Sequence, residues 1–176
     1  MTNIEHFNDT VAILVKAYFD DTLRHGNCYG CAVGNIIAHK MGVNIIKTDN
    51  KGLMWDNGDP YPGYGSCNNP DGWGAVFCTS SNEEDEDEED EDGMPIPDFT
   101  QEMNPNLLKG AALKQIQASG YHWTELAKIE YAFETVKCDD FTERMFKGLM
   151  AVVDVLASIH SIDLTTTESA KQLFIK

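Results

Sequence analysis

The sequence predicts a mostly α fold: five to six helices in an irregular bundle that begins with a helical hairpin, carrying a small β or irregular insertion and a flexible acidic loop. Three observations lead there. Apolar residues recur at helical spacing at both ends of the chain. That periodicity fails between Val43 and Asn104. Ten consecutive acidic residues, "EEDEDEEDED" at 83–92, then interrupt the chain with nothing apolar among them. The length of 176 residues, 42% hydrophobic, suits one domain over 1–176. Within it, 43–80 is a Gly/Pro/Asn/aromatic-rich insertion and 81–98 an acidic flexible loop.

The first helix is expected over residues 8–25, where Val11, Leu14, Val15, Tyr18, Phe19 and Leu23 share a side. Asn8 or Asp9 is its expected cap and Gly26 its left-handed stop. A second helix is expected over 28–41, with Ala32, Val33, Ile36 and Ile37 as its apolar side and Gly42 as its end. A link of two or three residues between them predicts an antiparallel helical hairpin.

Beyond Val43 the apolar runs shorten. "VNII" and "LMW" flank "KTDNKG" and predict a short β-hairpin, and "GWGAVFCT" predicts a further strand. The intervening "DNGDPYPGYGSCNNPDG" reads as consecutive turns. Order returns with Asn104-Pro105, a cap followed by proline at the first helical position, and that helix is expected to end at Gly120. "HWTELAKIEYAFETV" is apolar nearly all round, so it belongs at the centre, with His122 helping to start it. Asp140 with Glu143 has capping-box spacing and opens a long helix through Ile159, buried along Met145, Leu149, Val152, Val153 and Leu156. Thr165 with Glu168 repeats the device for a short final helix.

Charge narrows the partners. The net charge is −16, yet without the acidic run 19 acids face 13 bases, a net of −6. Nucleic-acid phosphates and anionic membrane surfaces repel such a chain, so neither is an expected partner. A basic protein or a small ligand remains. No stretch approaches the roughly 18 to 20 apolar residues of a membrane span. The first residues lack the basic and apolar regions of an export signal, and a cytoplasmic location is expected.

Chemistry concentrates in "HGNCYGCAVGNIIAHKMG", from His25 to Gly42. With Asn27 as the helix cap, Cys28 falls in the first turn and Cys31 one turn on, where the helix dipole favours thiolate. Five cysteines without regular spacing and without an export signal point to free thiols or a metal, not to a disulfide framework. No cofactor is expected, with zinc as the alternative. Cys28 and Cys31 make a proper first pair, Cys67 and Cys78 the best second pair, and His25 is a further ligand candidate. His39 is too far along the helix from Cys31, by roughly 12 Å.

Across nine residues, "GNCYGCAVG" resembles the active-site segment of papain-like cysteine proteases, in which a cysteine opens a central helix. That resemblance implies Cys31 as nucleophile, but the residues after the cysteine depart from the family pattern. His122 and His160 both fall in helices, which leaves no basic partner in a downstream strand. The third reading of the stretch is architectural. Cysteine packs as a small apolar group, and Gly30, Gly34 and Ala38 would let another helix approach closely.

Two further features are resolved by local chemistry. His122 with Glu125, followed by Glu130 and Glu134, has spacing used in carboxylate-bridged metal helices, but no Glu-x-x-His pair accompanies it. The oxygen-rich turns at 56–59 and 68–72 lack the length and closing glutamate of a calcium loop. The aromatics of the insertion, Trp55, Tyr61, Tyr64, Trp73 and Phe77, sit among Gly, Pro and Asn, a makeup found in recognition loops. The expectation is therefore a small acidic protein that works by binding, as an inhibitor or adaptor, through Trp55, Tyr61, Tyr64 and Trp73. The alternative is a cysteine-centred site, zinc-stapled or enzymatic.

Overall fold

The computed structural model describes residues 2–49, 52–59 and 111–164. Within them the protein is mostly α, with five helices and one two-stranded antiparallel sheet. The order is α1 (Asn3–Phe19), α2 (Ala32–Met41), β1 (Ile45–Lys47), β2 (Leu53–Trp55), α3 (Ala111–Ser119), α4 (Trp123–Glu134) and α5 (Phe141–His160). The strand expected at "GWGAVFCT", the helix start at Asn104, the acidic loop and the final helix all lie outside the described residues.

Helix α1 starts five residues earlier than the apolar spacing indicates. Thr2 is its cap: the Glu5 amide donates to Thr2 Oγ1 at 3.3 Å, and the Thr2 amide donates back to Glu5 Oε2 at 2.8 Å. This reciprocal box satisfies two amides that a bare helix start leaves open. The helix also stops earlier, at Phe19, because Asp21 takes a left-handed conformation with φ of 59°. Aspartate tolerates that region better than most side chains, so the stop needs no glycine. Phe7, Val11 and Leu14 are fully buried along its inner side.

Helix α2 begins at Ala32 with Cys31 as cap and ends at Gly42, whose φ of 69° is the left-handed close expected there. A twelve-residue excursion thus joins α1 to α2 in place of the short link the sequence predicts. The β-hairpin forms where "VNII" and "LMW" place it, with Ile45 opposite Trp55 and Lys47 opposite Leu53. Gly120, φ of 78°, follows α3. His122 caps α4, accepting from the Thr124 amide, with its own amide bonded to Glu125. Asp140 caps α5 by accepting from the Glu143 amide at 2.7 Å.

Helix α5 packs on both α1 and α4, while α2 packs on α1, α3 and α4. All five helices and Trp55 contribute to one buried cluster. Its largest fully buried members are Trp55, Phe7 and Phe133, each removing enough apolar surface from water to stabilise the fold by about 1.5–3 kcal/mol. Among the described residues no helix is long and apolar enough to cross a membrane.

Candidate functional site

The cysteine turn is set by asparagines. Asn27 Oδ1 accepts from the amides of Tyr29 and Gly30, both at 3.1 Å, and the Asn27 carbonyl accepts from Cys31 at 2.7 Å. Asn27 therefore closes a tight turn on its own and does not cap α2, which corrects the placement of Cys28 inside a helical first turn. Asn35, in the first turns of α2, donates its amide to the carbonyls of Thr22, Gly30 and Cys31 at 2.8–3.2 Å. Its Oδ1 accepts from the Thr22 hydroxyl at 3.1 Å. One buried side chain thereby pins three points of the excursion to the helix.

The glycines serve this turn. A Cβ on Gly34 would come within 2.3 Å of the Cys28 carbonyl oxygen, and one on Gly30 within 2.3 Å of Leu53 Cδ1 and 2.7 Å of the Thr22 carbonyl oxygen. The expected close approach is real, but what approaches is this chain's own turn and the β-hairpin, not a neighbouring helix.

Cys31 is fully buried. Its Sγ accepts from the Gly34 amide at 3.3 Å, in the manner of a capping oxygen. The Glu130 carboxyl, from α4, reaches the same point and meets both the thiol and the Val33 amide. Burial, then the nearby Glu134 carboxylate, push Glu130 up to about 8. Burial first, then Glu130 and Glu134, raise the Cys31 thiol well above its ordinary value. Near neutral pH both groups hold their protons. Desolvation here outweighs the helix dipole.

One turn further along α4, Glu134 accepts the Gly26 amide through both oxygens, at 3.1 and 2.9 Å, and pairs with His25 Nδ1 at 3.1 Å. The His25 ring lies flat on Phe133 with centroids 4.4 Å apart. Two glutamates of α4 thus complete the start of α2 and the turn before it.

A nucleophilic cysteine requires thiolate and access, and Cys31 has neither in this conformation. It is a capping residue of the core. Cys28 and Cys138 are partly exposed. With an aromatic disulfide reagent, Cys28 and Cys138 are therefore expected to react in the native protein, and Cys31 only at the rate of unfolding. Labelling of Cys31 as fast as Cys28 would refute its protected state.

Of the expected zinc ligands, Cys28 and Cys31 lie close together in the turn, while Cys67 and Cys78 lie outside the described residues. Among the described residues no group of three or more His, Cys, Asp or Glu side chains is arranged to hold a metal ion. The oxygen-rich turn at 56–59 spends its side chains internally: Asp56 accepts from the Asn44 amide and side chain, and Asn57 and Asp59 bond each other.

The expected recognition aromatics need one correction. Trp55 is fully buried, edge-on to Tyr29 at 5.5 Å. It faces the core because Ile45 and Trp55 are cross-strand partners on the hairpin's inner side, so it offers no contact surface. Tyr61, Tyr64, Trp73 and Phe77 lie outside the described residues.

Exposed aromatics occur elsewhere. Phe19 is 67% exposed, Phe141 50% and Phe146 42%. Tyr18 links Phe19 and Phe146, at ring distances of 5.5 and 6.2 Å. The Arg24 guanidinium lies 5.2 Å over Phe141 and pairs with Asp21, two residues past Phe19. These rings lie where the end of α1 meets the beginning of α5. The sequence carries a signal for one of them, Phe146, which falls beside the Met145–Leu149–Val152 stripe. Phe141, four residues before Met145, lies in line with that stripe and is exposed at the first turn of the helix. Phe19, expected on the apolar side of α1, is instead its exposed last residue.

No family model matches this chain, and no curated protein or solved structure is detectably similar to it.

Proposed function

We propose that this protein acts by binding another protein, without catalysis, and that the end of the molecule formed by Tyr18, Phe19, Phe141 and Phe146 is its contact surface. The observation that carries this reading is the exposure of three phenylalanines at one junction of two helices. Buried aromatic anchors dominate the energy of protein interfaces, and single exposed apolar residues are ordinary where a linked group of them is not. The ten-carboxylate run at 83–92 adds charge suited to a basic partner. Adaptor and inhibitor roles both fit such a contact. The buried, protonated Cys31 favours this reading over an enzymatic one.

The test uses full-length protein and a doubly substituted form, Phe19→Ser with Phe141→Ser, captured side by side from the native host. Both side chains are half exposed or more, so the melting temperature is expected to change little. Partners held by the original chain are expected to be lost from the variant. Deletion of 83–92 is expected to weaken the same partners and to make the remaining binding less sensitive to salt. Identical capture by all three forms would refute both the surface and the role of the charge.

A further inference from the structure

Three helix ends meet at Tyr121, in the link between α3 and α4. Its hydroxyl lies 2.7 Å from Thr10 Oγ1 of α1 and 3.0 Å from Nε2 of His160, the last residue of α5. Thr10 is fully buried, and Tyr121 and His160 are nearly so. His6, one turn before Thr10, stacks on the Tyr121 ring at 4.4 Å and meets the His160 ring edge-on at 4.9 Å. Phe7, fully buried, packs edge-on to His160 at 6.3 Å.

With His160 neutral, the hydrogens can run in one direction: Thr10 donates to Tyr121, and Tyr121 donates to Nε2. A proton on Nε2 turns that run around, Nε2 donating to Tyr121 and Tyr121 to Thr10, so both hydrogen bonds survive. The cost of protonation lies in burying the charge beside the second imidazole, its centroid 4.9 Å away. The Tyr121 hydroxyl cannot answer with an anion, because burial holds it at about 12. The second imidazole alongside makes two charges costlier than one.

We propose that His6, Tyr121 and His160 form an acid-sensitive latch that holds the first turns of α1 to the end of α5 while both imidazoles are neutral, and releases those turns when both are protonated. The charged groups facing the latch do not cancel this effect. Asp9 of α1 is ion-paired with Lys40 of α2, and Glu125 of α4 is engaged by the His122 amide at 2.7 Å. Burial lowers His6 first, then Lys40, with Asp9 and Glu125 opposing and the amino terminus adding slightly. Burial lowers His160 first, then His6, with Glu125 opposing.

The sign follows from linkage. Both imidazoles bind protons less readily folded than unfolded, so the stability they lend is complete above the ordinary 6.5 and is lost as pH falls below it. Aspartates and glutamates held down by partners, such as Asp21 and Glu143, act only in a lower range, below ordinary carboxylate values. The two effects are separable.

Two measurements on the full chain decide it. The imidazole proton resonances of His6 and His160, followed by NMR, are expected to titrate below 6.5; midpoints at or above that value overturn the latch, whatever any variant does. Hydrogen-exchange protection of residues 3–10 relative to 32–41 is then compared at about pH 7.5 and about pH 5.5. In the unsubstituted protein the ratio is expected to fall at the lower pH. In the form with His6→Gln and His160→Gln, amides that keep hydrogen-bonding capacity without titrating, the ratio is expected to stay level. An equal fall in both forms, or an unchanged ratio in the unsubstituted protein, overturns the proposal.

Discussion

Replacing Trp55 with alanine is expected to cost about 3–5 kcal/mol of stability, read as a lower urea midpoint. The indole is fully buried at the end of β2, edge-on to Tyr29, in a hairpin whose Leu53 also lies against Gly30. Truncation leaves a cavity whose walls, the cysteine turn among them, are tied by the Asn35 hydrogen bonds and relax poorly. Recognition loops supply their aromatics to a partner, and their loss weakens binding at unchanged stability. Trp55 is expected to behave the opposite way. A Trp55→Ala variant as stable as the original chain would show that the indole is not a core residue.

Replacing Glu130 with glutamine is expected to stabilise the protein, and the gain is expected to grow with pH. Glu130 is raised to about 8, from an ordinary 4.5. Its folded form keeps a proton that the unfolded chain releases above 4.5. Stability is therefore complete below the unfolded value and falls as pH rises toward 8, by about 1.4 kcal/mol per pH unit. Glutamine presents the same shape to the Cys31 thiol and the Val33 amide, and it never ionises. Denaturant unfolding between about pH 5 and about pH 9 checks this, in buffers of equal ionic strength. Parallel pH profiles for the two forms would mean that Glu130 is not held neutral.

The two titrating centres pull in opposite directions. Falling pH below 6.5 withdraws what the two histidines contribute, and rising pH between 4.5 and about 8 withdraws what Glu130 contributes. In the glutamine variant the fall toward alkaline pH should flatten.

What the sequence revealed, and what it hid, divides by distance along the chain. Gly42, His122 and Asp140 mark helix boundaries through bonds to residues two to four positions away, and each stands where local spacing puts it. The β-hairpin is legible for the same reason. The start of α1 was also locally encoded, in the Thr2–Glu5 box, but the more apolar stretch after Asn8 drew the boundary inward. Its end was not signalled, because Asp21 adopts a conformation usually marked by glycine. Cys31 as a cap is harder still, since sulfur rarely fills a place that serine or aspartate takes.

The buried centre was the least legible. Glu130 sits in a helix apolar nearly all round, and nothing within several residues explains a carboxyl there. Its reasons, the Cys31 thiol and the Val33 amide, lie about a hundred positions upstream. Of the exposed phenylalanines only Phe146 is legible, as an apolar residue beside a buried stripe, and where the three meet depends on how α1 and α5 pack.

Glu130 and Glu134 also bear on the order of events during synthesis. The opening of α2 and the bend before it are finished by carboxyl groups about a hundred positions further along the chain, which leave the ribosome later. Until then Val33 and Gly26 keep amides that the emerging chain itself does not yet satisfy. A nascent fragment ending near residue 59 would hold α1, α2 and the hairpin sequence but lack His160, against which Phe7 packs, and the last helix, on which α1 rests. The amino-terminal portion is thus expected to mature late, when its carboxy-terminal counterpart arrives.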